Sequence, residues 1–257
     1  AFDDFDVNAV GVLNLLEALR TYTPKSTFVQ MSTNKIYGDW PNLERYVEGD
    51  SRLYYDGVNS DIAVNGFSEF TPIDRCIHSL MGVSKLAGDM IAQEYGRNFG
   101  MNVGVFRAGC LTGPQHTGVE MHGFLSYIVK CAVTGKPYVI YGYKGKQVRD
   151  QLHSYDLVSA IDNFIKAPKK GVVYNIGGGI ENSTSVLEVI KELSNRGYDL
   201  DYTVSDRVRT GDHIWYVSDV RRFKAHYPSW KVTRGLPEII DELVSSFLLH
   251  RDESVSQ

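Results

Sequence analysis

Residues 79–107 read SLMGVSKLAGDMIAQEYGRNFGMNVGVFR, and their reading decides the fold. A long helix is predicted from about Leu80 to Phe99, with Gly100 placed to end it, because glycine adopts the left-handed C-terminal conformation without steric cost. A strand follows at Met101–Arg107, and a loop containing Gly, Thr and Pro runs on to about Glu120. Helix feeding into an apolar strand is the repeating step of an open α/β sheet.

The same alternation holds on either side. Val7, Val10, Val12, Leu13, Leu15, Leu16 and Leu19 recur at helical spacing up to Thr23-Pro24, and residues 26–31 read as a short buried strand. Residues 34–72 are loop-like and aromatic-rich, a length that is usually functional in a compact domain. Further on, helices are predicted at about 124–134, 156–166, 185–194 and 237–249, and strands at 138–141, 172–176 and 200–204. The class is therefore α/β, with a largely parallel sheet covered on both faces. Ligands of such sheets sit beyond the carboxyl ends of the strands, which directs attention to Ser32–Gly38, Ala108–His116 and the loop after Ile140.

Composition narrows the partners. The chain has 257 residues, 43% of them hydrophobic, and a formal net charge of -4. With no basic run longer than three residues, nucleic-acid and membrane binding have little support, since both need a concentrated cationic footprint. A phosphate-bearing small molecule needs only one or two placed arginines. Cys76, Cys110 and Cys131 lack metal-ligand spacing, so reduced thiols in a cytoplasmic protein, without a metal, are the expectation. Neither a bilayer-spanning apolar run nor a secretory leader is legible. No initiator Met is present, and the helical pattern starts at once, which gives the expectation that the chain begins in mid-fold.

Five stretches carry chemistry-bearing residues. They are Met31-Ser-Thr-Asn-Lys-Ile-Tyr-Gly38, Ser79-Leu-Met-Gly-Val-Ser-Lys85, Val105 to Pro114, Gly145-Lys-Gln-Val-Arg-Asp150, and Arg207 to Asp212 followed by Ser218-Asp219. Their order resembles the extended short-chain dehydrogenases that epimerise or dehydrate nucleotide-linked sugars. The first and fourth stretches are most similar to the CDP-paratose (CDP-tyvelose) 2-epimerase branch. This resemblance implies a Rossmann-type doubly wound sheet, NAD as cofactor, a nucleotide-sugar substrate of the kind used for polysaccharide precursors, and a homodimer formed by the helices around 4–20 and 79–99. It places Thr33 on the catalytic Ser/Thr position and Lys85 on the lysine of the Tyr-x-x-x-Lys pair. Asn8, Ser32, Lys85 and Arg107 fall on the cofactor side. Asn34, Lys35, Cys110, Arg149, Arg209 and Asp212 fall on the substrate side. Related dehydratases carry an Asp-Glu pair where this chain has Asn34 and Lys35, which argues for epimerisation through a transient keto-sugar.

Two departures stand out. Met81 occupies the position of the family tyrosine, and a thioether has no proton to exchange. Either another group supplies the base or the protein binds nucleotide sugars without turning them over. His78, one helical turn earlier, is a substitute candidate as well as an ordinary helix-start histidine, with Lys35 and Cys110 more remote. The second departure is the lack of a Gly-x-x-Gly-x-x-Gly phosphate loop, which by the resemblance corresponds to about two βαβ units of about 30 residues each ahead of residue 1. Gly177-Gly178-Gly179 does not meet that spacing. Trp40, Tyr46, Tyr54 and Tyr55 either pack their own loop or stack on a sugar or base. The expected division is a cofactor domain of 1–112 and about 141–176, with a substrate lobe of about 113–140 and 177–257.

Overall fold

The computed structural model describes residues 1–57, 60–120, 122–208 and 211–255. The chain begins with α1 (Phe2–Phe5), a π turn at Asp6–Val10 and α2 (Gly11–Tyr22), one continuous helical rod. Pro24 cannot extend it, and β1 (Thr27–Thr33) follows. The stretch predicted as loop holds two 3-10 turns, the hairpin β2 (Tyr46–Glu48) and β3 (Leu53–Tyr55), and the short α3 (Asp61–Asn65). Its aromatics pack on one another: Trp40 and Tyr55 meet Phe67 edge-on, and Tyr46 meets Tyr55. Phe67 itself is fully buried beside Trp215 and Tyr216.

Next come α4 (Leu80–Asn98), β4 (Asn102–Ala108), β5 (Cys110–Thr112), α5 (Phe124–Thr134), β6 (Tyr138–Tyr141), β7 (Val148–His153), α6 (Ser154–Lys166) and β8 (Lys170–Ile176). The chain continues through β9 (Ser183–Ser185), α7 (Val186–Asn195), β10 (Tyr202–Ser205), β11 (Trp215–Tyr216), α8 (Arg221–His226) and α9 (Leu236–Val255). Local signals account for the helix ends. Ser79 accepts from the Gly82 N–H at the start of α4, and Gly100, at φ +66°, follows its last turn. Ser185 and Glu188 form a reciprocal capping box on α7.

β1, β4 and β8 form a parallel sheet in that order, in which Thr33 pairs with Ala108 and Ala108 with Ile176. Apolar residues of α2 and α4, among them Leu16, Ala92 and Tyr95, cover one face. Phe164 of α6 and Phe223 of α8 cover the other, with Tyr227 and Trp230. Covering both faces of parallel strands makes this a Rossmann-type α/β sheet. Gly88 of α4 permits close packing against the first helical rod: a Cβ there would lie 2.2 Å from the Asn8 carbonyl oxygen.

A separate apolar core joins α5, α7 and α9 through Leu125, Ile128, Val189, Leu193, Ile240 and Leu243. Residues 220–230 pack on the sheet side and not in this core. We therefore propose that the expected lobe of 113–140 and 177–257 gives up that segment to the sheet domain.

β7 was not expected as a strand. It is the hub of a second small sheet, pairing with β5, β9 and β11. All six of its residues are buried, four of them polar. Such a strand shows no apolar run, so hydropathy alone misses it.

Candidate active site

The ends of β1 and β4, the length of β5 and one face of β7 meet around one cleft of about 390 Å³, a size suited to a small ligand. Thr33, Asn34, Lys35, Met81, Cys110, Arg149 and Asp212 all line it. Thr33 accepts from the Lys35 N–H at 3.2 Å, which fixes its hydroxyl at the turn after β1. Lys35 Nζ donates to the Gly211 carbonyl at 2.9 Å and lies 3.5 Å from Asp212 Oδ1. Arg149, 7% exposed, donates to Asp212 Oδ1 at 2.8 Å and also to the His213 carbonyl. The arginine and the lysine therefore converge on one carboxylate at the cleft wall. Beside them, burial pushes the Cys110 thiol up to about 11, so it stays protonated. Arg209 lies outside the described residues.

The cofactor-side expectations fare differently. Ser32 lines the cleft, but its hydroxyl donates inward to Asp89 Oδ2 at 2.6 Å. Arg107, expected at the cofactor, does not line the cleft. It makes two 3.0 Å bonds to the fully buried Asp89, and its NH1 donates to the Tyr37 hydroxyl. A guanidinium buried in the core needs such an anionic partner. Asn8 donates to Ser84 Oγ at 3.0 Å. Lys85 is half-buried, one turn along α4 from Met81.

His78 is the substitute candidate for the base. It is absent from the cleft lining, and its Nε2 lies 2.8 Å from the Ile73 carbonyl oxygen. A carbonyl only accepts, so Nε2 carries the proton, which leaves Nδ1, buried and without a hydrogen-bond partner, as the basic nitrogen.

The cleft also holds groups not singled out from sequence. His116, Glu120, His122, Gln147 and Gln151 line it. Burial, and then His122, lower the His116 pKa, so its imidazole is neutral at pH 7. The first three lie on or just beyond the loop that follows β5, and the last two on or next to β7. Reading β7 with a period of two would have found Gln147, Arg149 and Gln151 on one face.

Behind the cleft, Asp150 Oδ2 accepts from the Gly179 and Ser218 N–H groups, while Oδ1 has no partner. A Cβ on Gly177 would sit 2.1 Å from Oδ2, and one on Gly178 would sit 2.0 Å from the Gln151 carbonyl. These two glycines thus allow close packing against β7. Burial raises the Asp150 pKa. The unfolded carboxyl ionises near its ordinary value of about 4, so above that pH the fold holds the extra proton and loses stability as pH rises. Asp150→Asn keeps an acceptor for both N–H groups and offers a donor in place of the unpartnered Oδ1. Urea unfolding of this variant is expected to show a gain of about 1 kcal/mol over the parent near pH 7. The gain should shrink towards pH 4, and a gain that grows on acidification would contradict this account.

Residues 1–177 match the NAD dependent epimerase/dehydratase family. The chain is 37% identical over 229 residues to a CDP-paratose 2-epimerase of Salmonella typhi, a match covering 85% of this chain and 64% of that one. It is 28% identical over 222 residues to a dTDP-glucose 4,6-dehydratase of Escherichia coli, covering 83% and 55%. It thus spans between about half and two thirds of these relatives' lengths. Among solved structures, a Bacillus anthracis dTDP-glucose 4,6-dehydratase in complex with NAD is 26% identical with a TM-score of 0.72, covering 96% of this chain and 70% of that one. A Thermus thermophilus UDP-glucose 4-epimerase in complex with NAD, 24% identical with a TM-score of 0.73, shares the fold and covers 95% and 70%. The matched residues take in β1, α4 and β7, and the chain belongs to the NAD-dependent epimerase/dehydratase family.

Proposed function

We propose that the protein acts on a nucleotide-activated sugar as an NAD-dependent epimerase, similar in kind to CDP-paratose 2-epimerase. The observation that carries the reading is the gathering of Thr33, Asn34, Lys35, Cys110, Arg149 and Asp212 around one cleft at the strand ends. In this reading the Thr33 hydroxyl orients the sugar hydroxyl to be oxidised. Arg149, and Arg209 with it, grips the diphosphate, because a planar guanidinium meets two phosphate oxygens at once. Asp212 orients Arg149 and Lys35 and meets the nucleotide's ribose.

Asn8, Ser32 and Lys85 would hold the nicotinamide end of NAD, which supplies a hydride acceptor and donor there. The half-buried Lys85 fits this role, having no ion-pair partner recorded among the described residues. These 257 residues contain no glycine-rich turn for the pyrophosphate. The apolar side chains left exposed on the rod and α4, including Val7, Val10, Leu13, Val83 and Met90, support a homodimer. No described helix is long and apolar enough to cross a membrane. A cytoplasmic role in polysaccharide precursor synthesis belongs to the same proposal.

The test is to denature the purified protein, look for released NAD, and assay CDP-, UDP- and dTDP-linked sugars for epimerised product. Released NAD and a new sugar epimer are expected. A protein that neither holds nor binds NAD is not an oxidoreductase of this kind, and the non-catalytic reading favoured by Met81 then takes its place.

A further inference from the structure

Along β7 the side chains alternate. Val148 and Leu152 enter apolar clusters, while Gln147, Arg149 and Gln151 line the cleft. Arg149 donates to Asp212 and His213, and Gln147 Nε2 donates to the Tyr141 carbonyl while its Oε1 has no partner. Gln151 is 1% exposed, and its Nε2 has no hydrogen-bond partner. An unpaired buried amide destabilises the ligand-free protein, and a ligand that pairs with it recovers that loss. Its place in the cleft is set by register. Gln151 pairs with Cys110, two residues beyond the Ala108 that pairs with Thr33.

We infer that Gln151 determines specificity for the sugar, with its carboxamide hydrogen-bonded to a sugar hydroxyl near Thr33. This rests on the nucleotide-sugar reading of the cleft. A hydroxyl both donates and accepts, which matches an uncharged amide, whereas the anionic diphosphate matches Arg149. A site built around an otherwise unpaired polar group rejects analogues that lack the matching hydroxyl.

Gln151→Met replaces the amide with an apolar chain of similar length. Its thermal midpoint without ligand is expected to equal or exceed the parent's. Calorimetric titration should show about tenfold weaker binding of whichever of CDP-, UDP- or dTDP-glucose the parent binds. Binding of the matching nucleoside diphosphate should be unchanged. Gln151→Asn, which keeps the amide but shortens its reach, should show the same selective loss. Parent-like affinity for the sugar nucleotide in both variants would overturn the inference. So would a lowered midpoint with equal losses for sugar nucleotide and nucleoside diphosphate, since that is the mark of a structural amide. A parent that binds none of the three sugar nucleotides defeats the underlying reading instead, and this inference with it.

Discussion

Asp89→Ala is expected to cost about 3–5 kcal/mol of folding stability, a large part of what a domain of this kind possesses. Asp89 is fully buried and accepts from Ser32, Gln93 and, side-on, from Nε and Nη2 of Arg107. Removing the carboxylate leaves Arg107, 5% exposed, as an uncompensated charge in the core. Its remaining contact, with the Tyr37 hydroxyl, is one neutral oxygen. Replacing both partners, as in Asp89→Ala with Arg107→Met, should recover a good part of the loss, because the buried charge then disappears. Urea unfolding of the single and double variants measures this. A single variant within about 1 kcal/mol of the parent would show that the pair is not the core's anchor. The pair also matters to the cleft, since Ser32 is held to Asp89 and Thr33 is the next residue.

Met81→Tyr is expected to raise turnover of a bound nucleotide sugar by about 10²–10⁴-fold, the usual contribution of a positioned general acid–base group. Met81 lines the cleft and is 40% exposed, so a larger ring can be accepted there with little strain. It precedes Lys85 by four residues on α4, which puts the two side chains on one helix face. The ammonium would lower the phenol's pKa from its ordinary value of about 10. The gain should therefore follow a rate that rises with pH as the phenol ionises. If the parent turns over as fast as the variant, another group in the cleft already supplies the base. His116, neutral and on the cleft wall, is then the first residue to replace.

Where sequence reading succeeded, the information was local. α5 and β6 fall at the residues expected from periodicity, and α4 ends with the predicted Gly100. A helix needs only an apolar stripe and its caps, and both are written within a few turns of chain. The stretch at 31–38 was legible as a turn directly after a strand, and its catalytic reading came from the family resemblance. Arg107 and His78 show the limit. Each stands where a ligand-binding role is plausible, yet the first is paired with Asp89, 18 residues earlier, and the second with a loop carbonyl. β7 is the larger case: three of its four buried polar residues, Arg149, Asp150 and His153, are held by partners at 179, 212, 213, 218 and 242, all far along the chain.

The amino-acid sequence by itself determined that this is a helix-covered parallel sheet with polar turns after β1 and β4, since periodicity, caps and strand-end position are properties of short segments. Which polar side chains face the cleft and which are spent inside the core was decided only by tertiary structure. A buried charge or amide takes its role from the partner it meets, and here most of those partners come from elsewhere in the chain.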